Sequence, residues 1–387
     1  LLVLPVISLT MVIWYFVGGI PSYYLLPVFL INGYILYQAQ PQAQETYQST
    51  HQSIKVLGAY QEMIKLLEQT QFKDPYLIEL QSPFMGTGEQ ASVIITQLRQ
   101  ILNRIETRHN FFYWIFNIIF LLDLIWLMQA AGWKQKHSTK IAKWFNCLSH
   151  FELLASIGLS RFANPDWVDP VLSEHPFTLQ AQALGHPLIH PKERQSNNFE
   201  LQDQGTVVVL TGSNMSGKST FLRTVGINTV LAYMGAPVCA QSLTLGHMKV
   251  FTSMRTTDNL EQHVSSFYAE LKRLRQLIQH LKQPVPTLFL LDEILKGTNS
   301  EDRHKGAIAL IKQLHTLSAF GIVSTHDLAL GRLAESHDYI ENYSFNSQLK
   351  EGALHFDYLL TKGICHSFNA SELMAQMGIE MGRWQDP

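Results

Sequence analysis

The stretch Val207-Val-Val-Leu-Thr-Gly-Ser-Asn-Met-Ser-Gly-Lys-Ser-Thr220 decides how this chain is built. Val207 to Leu210 is an unbroken aliphatic run, which predicts a strand buried on both faces. Gly212-Ser213-Asn214-Met215-Ser216-Gly217-Lys218-Ser219 fits the spacing G-x-x-x-x-G-K-[ST], and the residues from Thr220 onward read as a helix. Strand, glycine-bounded loop and helix in that order make a phosphate-binding loop. The glycines let backbone N–H groups turn inward, the helix N-terminus adds positive potential, and Lys218 reaches the β/γ-phosphates. The Ser219 hydroxyl is placed to coordinate Mg²⁺. The expected ligand is a nucleoside triphosphate.

Further along, Thr287-Leu-Phe-Leu-Leu-Asp292-Glu293 reads as a second buried strand ending in two carboxylates. The first is expected to support Mg²⁺ and the second to orient or deprotonate the attacking water. An apolar run ending in Asp-Glu is weak alone, but about 75 residues after a phosphate-binding loop it is a strong signal. A third strand, Phe320 to Ser324, leads into Thr325-His326-Asp327. A histidine at the C-terminal end of a parallel strand faces the ligand crevice.

Composition sets looser bounds. The 387 residues leave room for two or three domains, and 29 basic against 31 acidic residues give a net charge of −2. No global basic field advertises nucleic-acid binding. Cys147, Cys239 and Cys365 are scattered without C-x-x-C spacing and read as buried thiols in a reducing compartment. The chain begins at Leu1 without a Met, which predicts a fragment of a longer protein.

From Leu1 to Gln44 there is no charged residue. Leu1 to Val17 and Tyr23 to Tyr37 are apolar around the breaker cluster Gly18-Gly19-Ile20-Pro21-Ser22, with aromatics near the run ends. Each run approaches the ~17–20 residues a membrane span needs, so a two-helix membrane hairpin is expected. A third apolar run, Phe111 to Ala131, carries Asn117 and Asp123 and suits either a bilayer span or a helix buried between neighbours, the cost of an ionised Asp in mid-bilayer favouring the second. Thr46 to Gln71, Glu89 to Arg108 and Lys140 to Leu159 have helical periodicity. Asp74 to Gly88, with its prolines and glycines, reads as a connection.

Several of these segments resemble the ATPase domain of the MutS mismatch-repair family. Thr211-Gly-Ser-Asn-Met-Ser-Gly-Lys-Ser-Thr220 is similar to that family's TGPNMGGKST, Leu291-Asp-Glu-Ile-Leu-Lys-Gly-Thr-Asn299 to MDEIGRGTS, and Ser324-Thr-His-Asp-Leu328 to ATHYFEL. Phe251-Thr-Ser-Met-Arg255 through Asp258-Asn-Leu and Ser265-Ser-Phe-Tyr-Ala-Glu270 resemble the intervening family segment, and Phe151 to Leu188 resembles the approach to the ATPase. The resemblance implies ATP with Mg²⁺ as the ligands and a dimer with composite sites. It casts Ser265 as the serine reaching the partner's γ-phosphate, His326 as the sensing histidine, and Asn299 and Ser300 as seam residues. Read alone, Ser265-Ser266 is an ordinary helix N-cap. Ser213 and Ser216 depart from the family's Pro and Gly. Arg194 falls where the family has an aromatic that stacks on adenine, and a guanidinium plane could stack there.

The sequence therefore predicts an α/β P-loop NTPase of the MutS/ABC-like kind, preceded by an all-α lever-like domain and an N-terminal transmembrane hairpin. The expected division is a hairpin over 1–38, a lever-like domain over 39–172 and the ATPase over 173–387. ATP hydrolysis at composite homodimer sites coupled to DNA is the expected function, with the chain attached to a membrane through 1–38 and its ATPase cytoplasmic. The alternative is a membrane-anchored mechanical switch that does not bind DNA. A transporter of the ABC type is disfavoured, since no LSGGQ-like signature precedes Asp292.

Overall fold

The computed structural model describes residues 3–51, 53–86, 88–106, 112–254, 266–350 and 353–365. The chain forms two compact units, Leu1–Ala155 and Ser156–Pro387.

The second unit is α/β. A six-stranded sheet has the order β10-β9-β4-β8-β7-β6, with β4 (Val207–Gly212), β6 (Lys249–Ser253), β7 (Thr287–Leu291), β8 (Phe320–Thr325) and β9 (Ile340–Lys350) parallel. Strand β10 (Ala353–Lys362) closes one edge antiparallel to β9. A four-stranded sheet, β1-β5-β2-β3, gathers Val171–Ser173, Ser242–Gly246, Thr178–Leu184 and Asn197–Gln202.

The apolar strands sort their side chains by the period-two alternation of a pleated chain. Val208 and Leu210 of β4, Leu288 and Leu290 of β7, and Phe320 and Ile322 of β8 meet Phe221, Leu222 and Val225 of α8 (Lys218–Tyr233) and Leu179, Leu201 and Leu245 of the small sheet. Val207, Val209, Phe289, Leu291 and Val323 pack on the other face against α9 (Ser266–Leu281) and α10 (Ser300–Thr316), through Leu274, Leu277, Ala307, Ile311 and Leu314. Burial on both faces explains why these strands read as continuous hydrophobic runs rather than alternating ones.

The first unit is helical: α1 (Val3–Phe16), α2 (Leu25–His51), α3 (Ser53–Gln69), α4 (Pro75–Met85), α5 (Ala91–Glu106), α6 (Tyr113–Phe120) and the start of α7 (Leu122–Ala163). Its core joins Ile64, Phe84, Ile94, Trp133, Trp144 and Phe151. The connection expected over 74–88 is instead largely α4. Asp74 accepts hydrogen bonds from the amides of Tyr76 and Leu77, and Pro75 sits at the first helical position, where its missing N–H costs nothing.

The transmembrane hairpin expected over 1–38 is corrected by the structure. Among the described residues no single helix is long and apolar enough to cross a membrane. Helix α1 has 14 residues, and α2, with 27, runs without interruption into Gln38-Ala-Gln-Pro-Gln-Ala-Gln-Glu. The uncharged run is long because it counts glutamines, which are uncharged but not apolar. Asn32 is buried and donates through Nδ2 to Ser8 Oγ (2.8 Å) and the Ile118 carbonyl (2.8 Å), tying the two helices to α6.

The run from Phe111 to Ala131 is likewise not one helix. It breaks at Leu121, in left-handed conformation, between α6 and α7, which are bent by 73° and together have the length and composition of a broken span. Asn117 makes the break: its carbonyl accepts from Leu121 N–H (2.7 Å) and its Oδ1 from Asp123 N–H (2.9 Å). Asp123 accepts in turn from Tyr113 Oη (2.8 Å) and Asn117 Nδ2 (2.9 Å), so the buried carboxylate is fully engaged. The polar residues face inward here, and Trp114 and Phe116 are exposed.

Glu68, 7% exposed, caps α5 by accepting from Ser92 N–H (2.9 Å) and Ser92 Oγ (2.5 Å). Glu68→Ala leaves that buried amide and hydroxyl unpartnered, at a cost of about 1–3 kcal/mol. The expected outcome is an earlier denaturant midpoint for the helical unit, with nucleotide binding by the second unit unchanged. Circular dichroism in a urea series, beside a binding titration, measures both.

Candidate functional site

Strand register brings three loops to one edge of the large sheet. Thr211 of β4 lies opposite Thr325 of β8, and Leu291 of β7 lies opposite Val323 two residues earlier on β8. The chain therefore leaves β4, β7 and β8 at the same C-terminal edge, where open parallel sheets bind ligands. A cleft of about 400 Å³ opens there, in the size range of small-molecule sites.

Met215, Ser216, Gly217, Lys218, Ser219 and Thr220 line the cleft floor. Gly217 has φ +106°, a left-handed conformation that favours glycine, and a Cβ there would crowd the Tyr358 ring at 3.2 Å. The amides of Lys218, Ser219 and Thr220 open α8 and have no carbonyl one turn back to pair with, which makes them donors for an anion. Asn214 is exposed at the loop crown, outside the lining. Ser213 and Ser216, the two departures from the family pattern, each bury a hydroxyl oxygen that has no protein partner.

Lys218 is buried and donates through Nζ to the carbonyls of Gly212 (2.9 Å) and Ser213 (2.8 Å), with His326 Nδ1 at 3.4 Å. His326 Nδ1 lies closer still to the Gly212 carbonyl, at 3.0 Å, so the ammonium and the imidazole meet on that one oxygen. On its other side His326 Nε2 lies 2.6 Å from Glu293 Oε1 and donates to that carboxylate. Burial, and next the charge of Lys218, hold the His326 pKa below its ordinary value, and the Gly212 contact works against that shift. Glu293 also forms an ion pair with Lys296 through its other oxygen, and it lines the cleft.

Asp292 is fixed by β8. Its Oδ1 accepts from Ser324 Oγ (2.6 Å), and the same oxygen of Ser324 accepts from Glu293 N–H (3.0 Å). Ser324 thus aligns both carboxylate residues and is itself fully buried. Asp292 and Ser219 offer the hard oxygen donors that suit Mg²⁺, which takes one or two protein oxygens when phosphates and water complete its shell.

Arg194 is not among the residues lining the cleft; its side chain lies over Gly185, where a Cβ would meet its Cδ at 2.7 Å. The mouth is built from Leu184, His186, Ile189, Glu193 and Tyr358 instead. Tyr358 reaches the loop because β10 bulges: the register shifts between Phe356 and Leu360, and Tyr358 has φ +55°. Asn197 pins the bulge by donating from Nδ2 to the Tyr358 carbonyl (3.1 Å) and accepting from Leu360 N–H (2.7 Å). Ser265 lies outside the described residues. Asn299 caps α10, accepting from Asp302 N–H (2.8 Å), and Ser300 opens that helix.

Burial pushes the Lys218 ammonium down to about 8. Phosphate charges favour the protonated form, so binding above that pH takes up a proton. Nucleotide affinity is expected to be flat below pH 7.5 and to fall as pH rises through about 8, by up to about tenfold per unit. Isothermal titration in buffers of different ionisation enthalpy reads the proton uptake, and Lys218→Arg should abolish the pH dependence.

Comparison with known proteins converges on the same half of the chain. Residues 208–378 match the family model of MutS domain V. MutS protein homolog 4 of Mus musculus is 27% identical over 248 residues, covering 60% of this chain and 25% of the relative. The DNA mismatch repair protein MSH4 of Arabidopsis thaliana is 28% identical over 222 residues, covering 57% and 27%. The DNA mismatch repair protein MutS of Flavobacterium psychrophilum is 29% identical over 253 residues, covering 62% and 28%. Over residues 208–378 the chain is similar to MutS domain V, and it spans about a quarter of the length of these relatives.

Proposed function

We propose that this chain binds ATP with Mg²⁺ at the C-terminal edge of its large sheet and hydrolyses it. One observation carries the reading. A carboxylate, Glu293, is held by His326 beside a phosphate-binding loop whose lysine contacts the same histidine.

In this reading Lys218 and the amides of Lys218 to Thr220 hold the β- and γ-phosphates, the loop from Gly212 to Gly217 wraps them, and Tyr358 stacks on the base. Ser219 and Asp292 hold Mg²⁺, which when bound neutralises charge on the phosphates. Glu293 is the base that accepts a proton from the attacking water. His326 donates to Glu293 and so keeps the carboxylate aimed into the cleft. When phosphate oxygens draw Lys218 from its loop carbonyls, the third contact of the ammonium, His326 Nδ1, changes with them. That gives the γ-phosphate a physical route to the base.

Composite sites completed by Ser265 of a second copy, and coupling of the ATP cycle to DNA, extend the proposal on the strength of the family resemblance. Three relatives carry mismatch repair in their names.

Glu293→Gln is expected to bind ATP with near wild-type affinity while hydrolysing it about 10²–10⁴ times more slowly. Lys218→Ala is expected to lose binding. Wild-type turnover in the Glu293 variant would remove it as the base. For the DNA arm, duplex binding is expected to weaken steeply with salt and to ignore mismatches, as contacts to phosphates alone do. A matched and a mismatched duplex compared across a salt series measure this, and a tenfold mismatch preference, about 1.4 kcal/mol, would contradict it.

A further inference from the structure

We propose that Glu270, near the start of α9, is a positioning residue for hydrolysis: it holds the turn after β7 in the conformation that aims Glu293 into the cleft. This rests on the ATPase reading above.

The turn is one that side chains resist. Glu293 has φ +51° and Leu295 has φ +59°, two left-handed residues within three, neither of them glycine. Such a turn persists only where its surroundings over-determine it. Ser324 holds its first amide, at Glu293. Glu270 holds its middle: the Glu270 Oε1 accepts from Leu295 N–H, and the Lys296 amide also donates to this carboxylate. The next residue, Gly297, lies so close to Phe267 that a Cβ would come within 2.4 Å of the Phe267 Cβ. Glu270 and Phe267 are three apart on one helix and so face the same way, toward the turn.

The consequence for chemistry runs through Lys296. Its backbone amide is held by Glu270, and its side chain forms the ion pair with Glu293. With Glu270 in place, the Glu293 carboxylate is fixed from two sides, by Lys296 and by His326. Without it, the Leu295 and Lys296 amides lose this acceptor, and the left-handed residues can relax toward ordinary backbone. That rotation carries the Glu293 side chain away from the cleft. Among the described residues Glu270 is not one that lines the cleft, so nucleotide binding is expected not to depend on it. Burial pushes the Glu270 carboxyl above its usual range, and the two amides work against that shift.

The test compares full-length wild type with Glu270→Ala, Glu270→Gln and Glu270→Asp, using ATP with Mg²⁺. Nucleotide affinity should stay within about threefold in all of them, while single-turnover hydrolysis in Glu270→Ala falls about 10–100-fold, the scale of a base displaced by roughly an ångström. Glu270→Gln keeps an oxygen that accepts N–H and should recover most of the rate. Glu270→Asp, with its oxygens retracted by one methylene, should fall between. Amide hydrogen exchange at Leu295 and Lys296 should speed up in Glu270→Ala and return to slow in Glu270→Gln. Wild-type hydrolysis in Glu270→Ala overturns the proposal, as does parallel loss of affinity and rate, which marks a merely structural role. If Glu270→Ala does not fold, a Glu270→Asp rate equal to wild type overturns it equally. Absence of hydrolysis in the wild type is a different failure, because it removes the ATPase reading itself.

Discussion

A buried ammonium organises the C-terminal edge of the large sheet. Lys218 Nζ meets two carbonyls of its own loop and an imidazole from another strand, and that imidazole itself meets the Gly212 carbonyl, so the loops after β4 and β8 are joined at one cluster. Burial makes this charge costly, and the hydrogen bonds offset the cost. The same arrangement bears on His326: burial, and next the Lys218 charge, hold its pKa below the ordinary value, while its Nε2 donates to Glu293. Three residues far apart in sequence thus form one chain of contacts, lysine to histidine to glutamate. A phosphate competing for the lysine acts on the glutamate without touching it.

The chain of contacts works only because the strands set its ends level. The order β4-β8-β7 places the histidine strand between the loop strand and the carboxylate strand. Ser324, two residues before His326, exploits that middle place: it bonds to Asp292 and to the Glu293 amide across the β7–β8 seam. Polar burial at Ser324 is therefore paired burial, on a strand whose first four residues are apolar.

Much of this was legible in the sequence, because each piece is local. The loop, the carboxylate pair and the histidine each follow a short apolar run, and adjacency along the chain puts them at strand ends. The missing parts were long-range. Tyr358 enters through a register shift in an edge hairpin, and the residue that pins the bulge, Asn197, lies more than 150 positions earlier. Arg194 occupies the expected sequence position, but the segment turns so that its side chain covers Gly185 while Ile189 and Glu193 face the cleft. His186 was visible only as part of Gly185-His-Pro, a landmark without a role.

The helical half failed for a different physical reason. Hydropathy reads side chains one at a time, whereas the Asn32 amide donates to Ser8 and to the Ile118 carbonyl, and Asn117 and Asp123 hydrogen-bond to each other across the break. An asparagine whose amide finds a backbone carbonyl inside the protein says nothing about how long a helix is, nor about where one ends. The Leu121 break depends on a side chain four residues upstream bonding two residues past the break, a pattern with no periodicity to detect. The strained turn at Glu293 and Leu295 belongs to the same class. Neither residue type predicts a left-handed backbone, and only the carboxylate of Glu270, brought in by a helix that starts far upstream, explains why the chain tolerates it there. Function in this protein is therefore written in two registers: donor and acceptor types sit in short readable motifs, and their aim is set by contacts between elements.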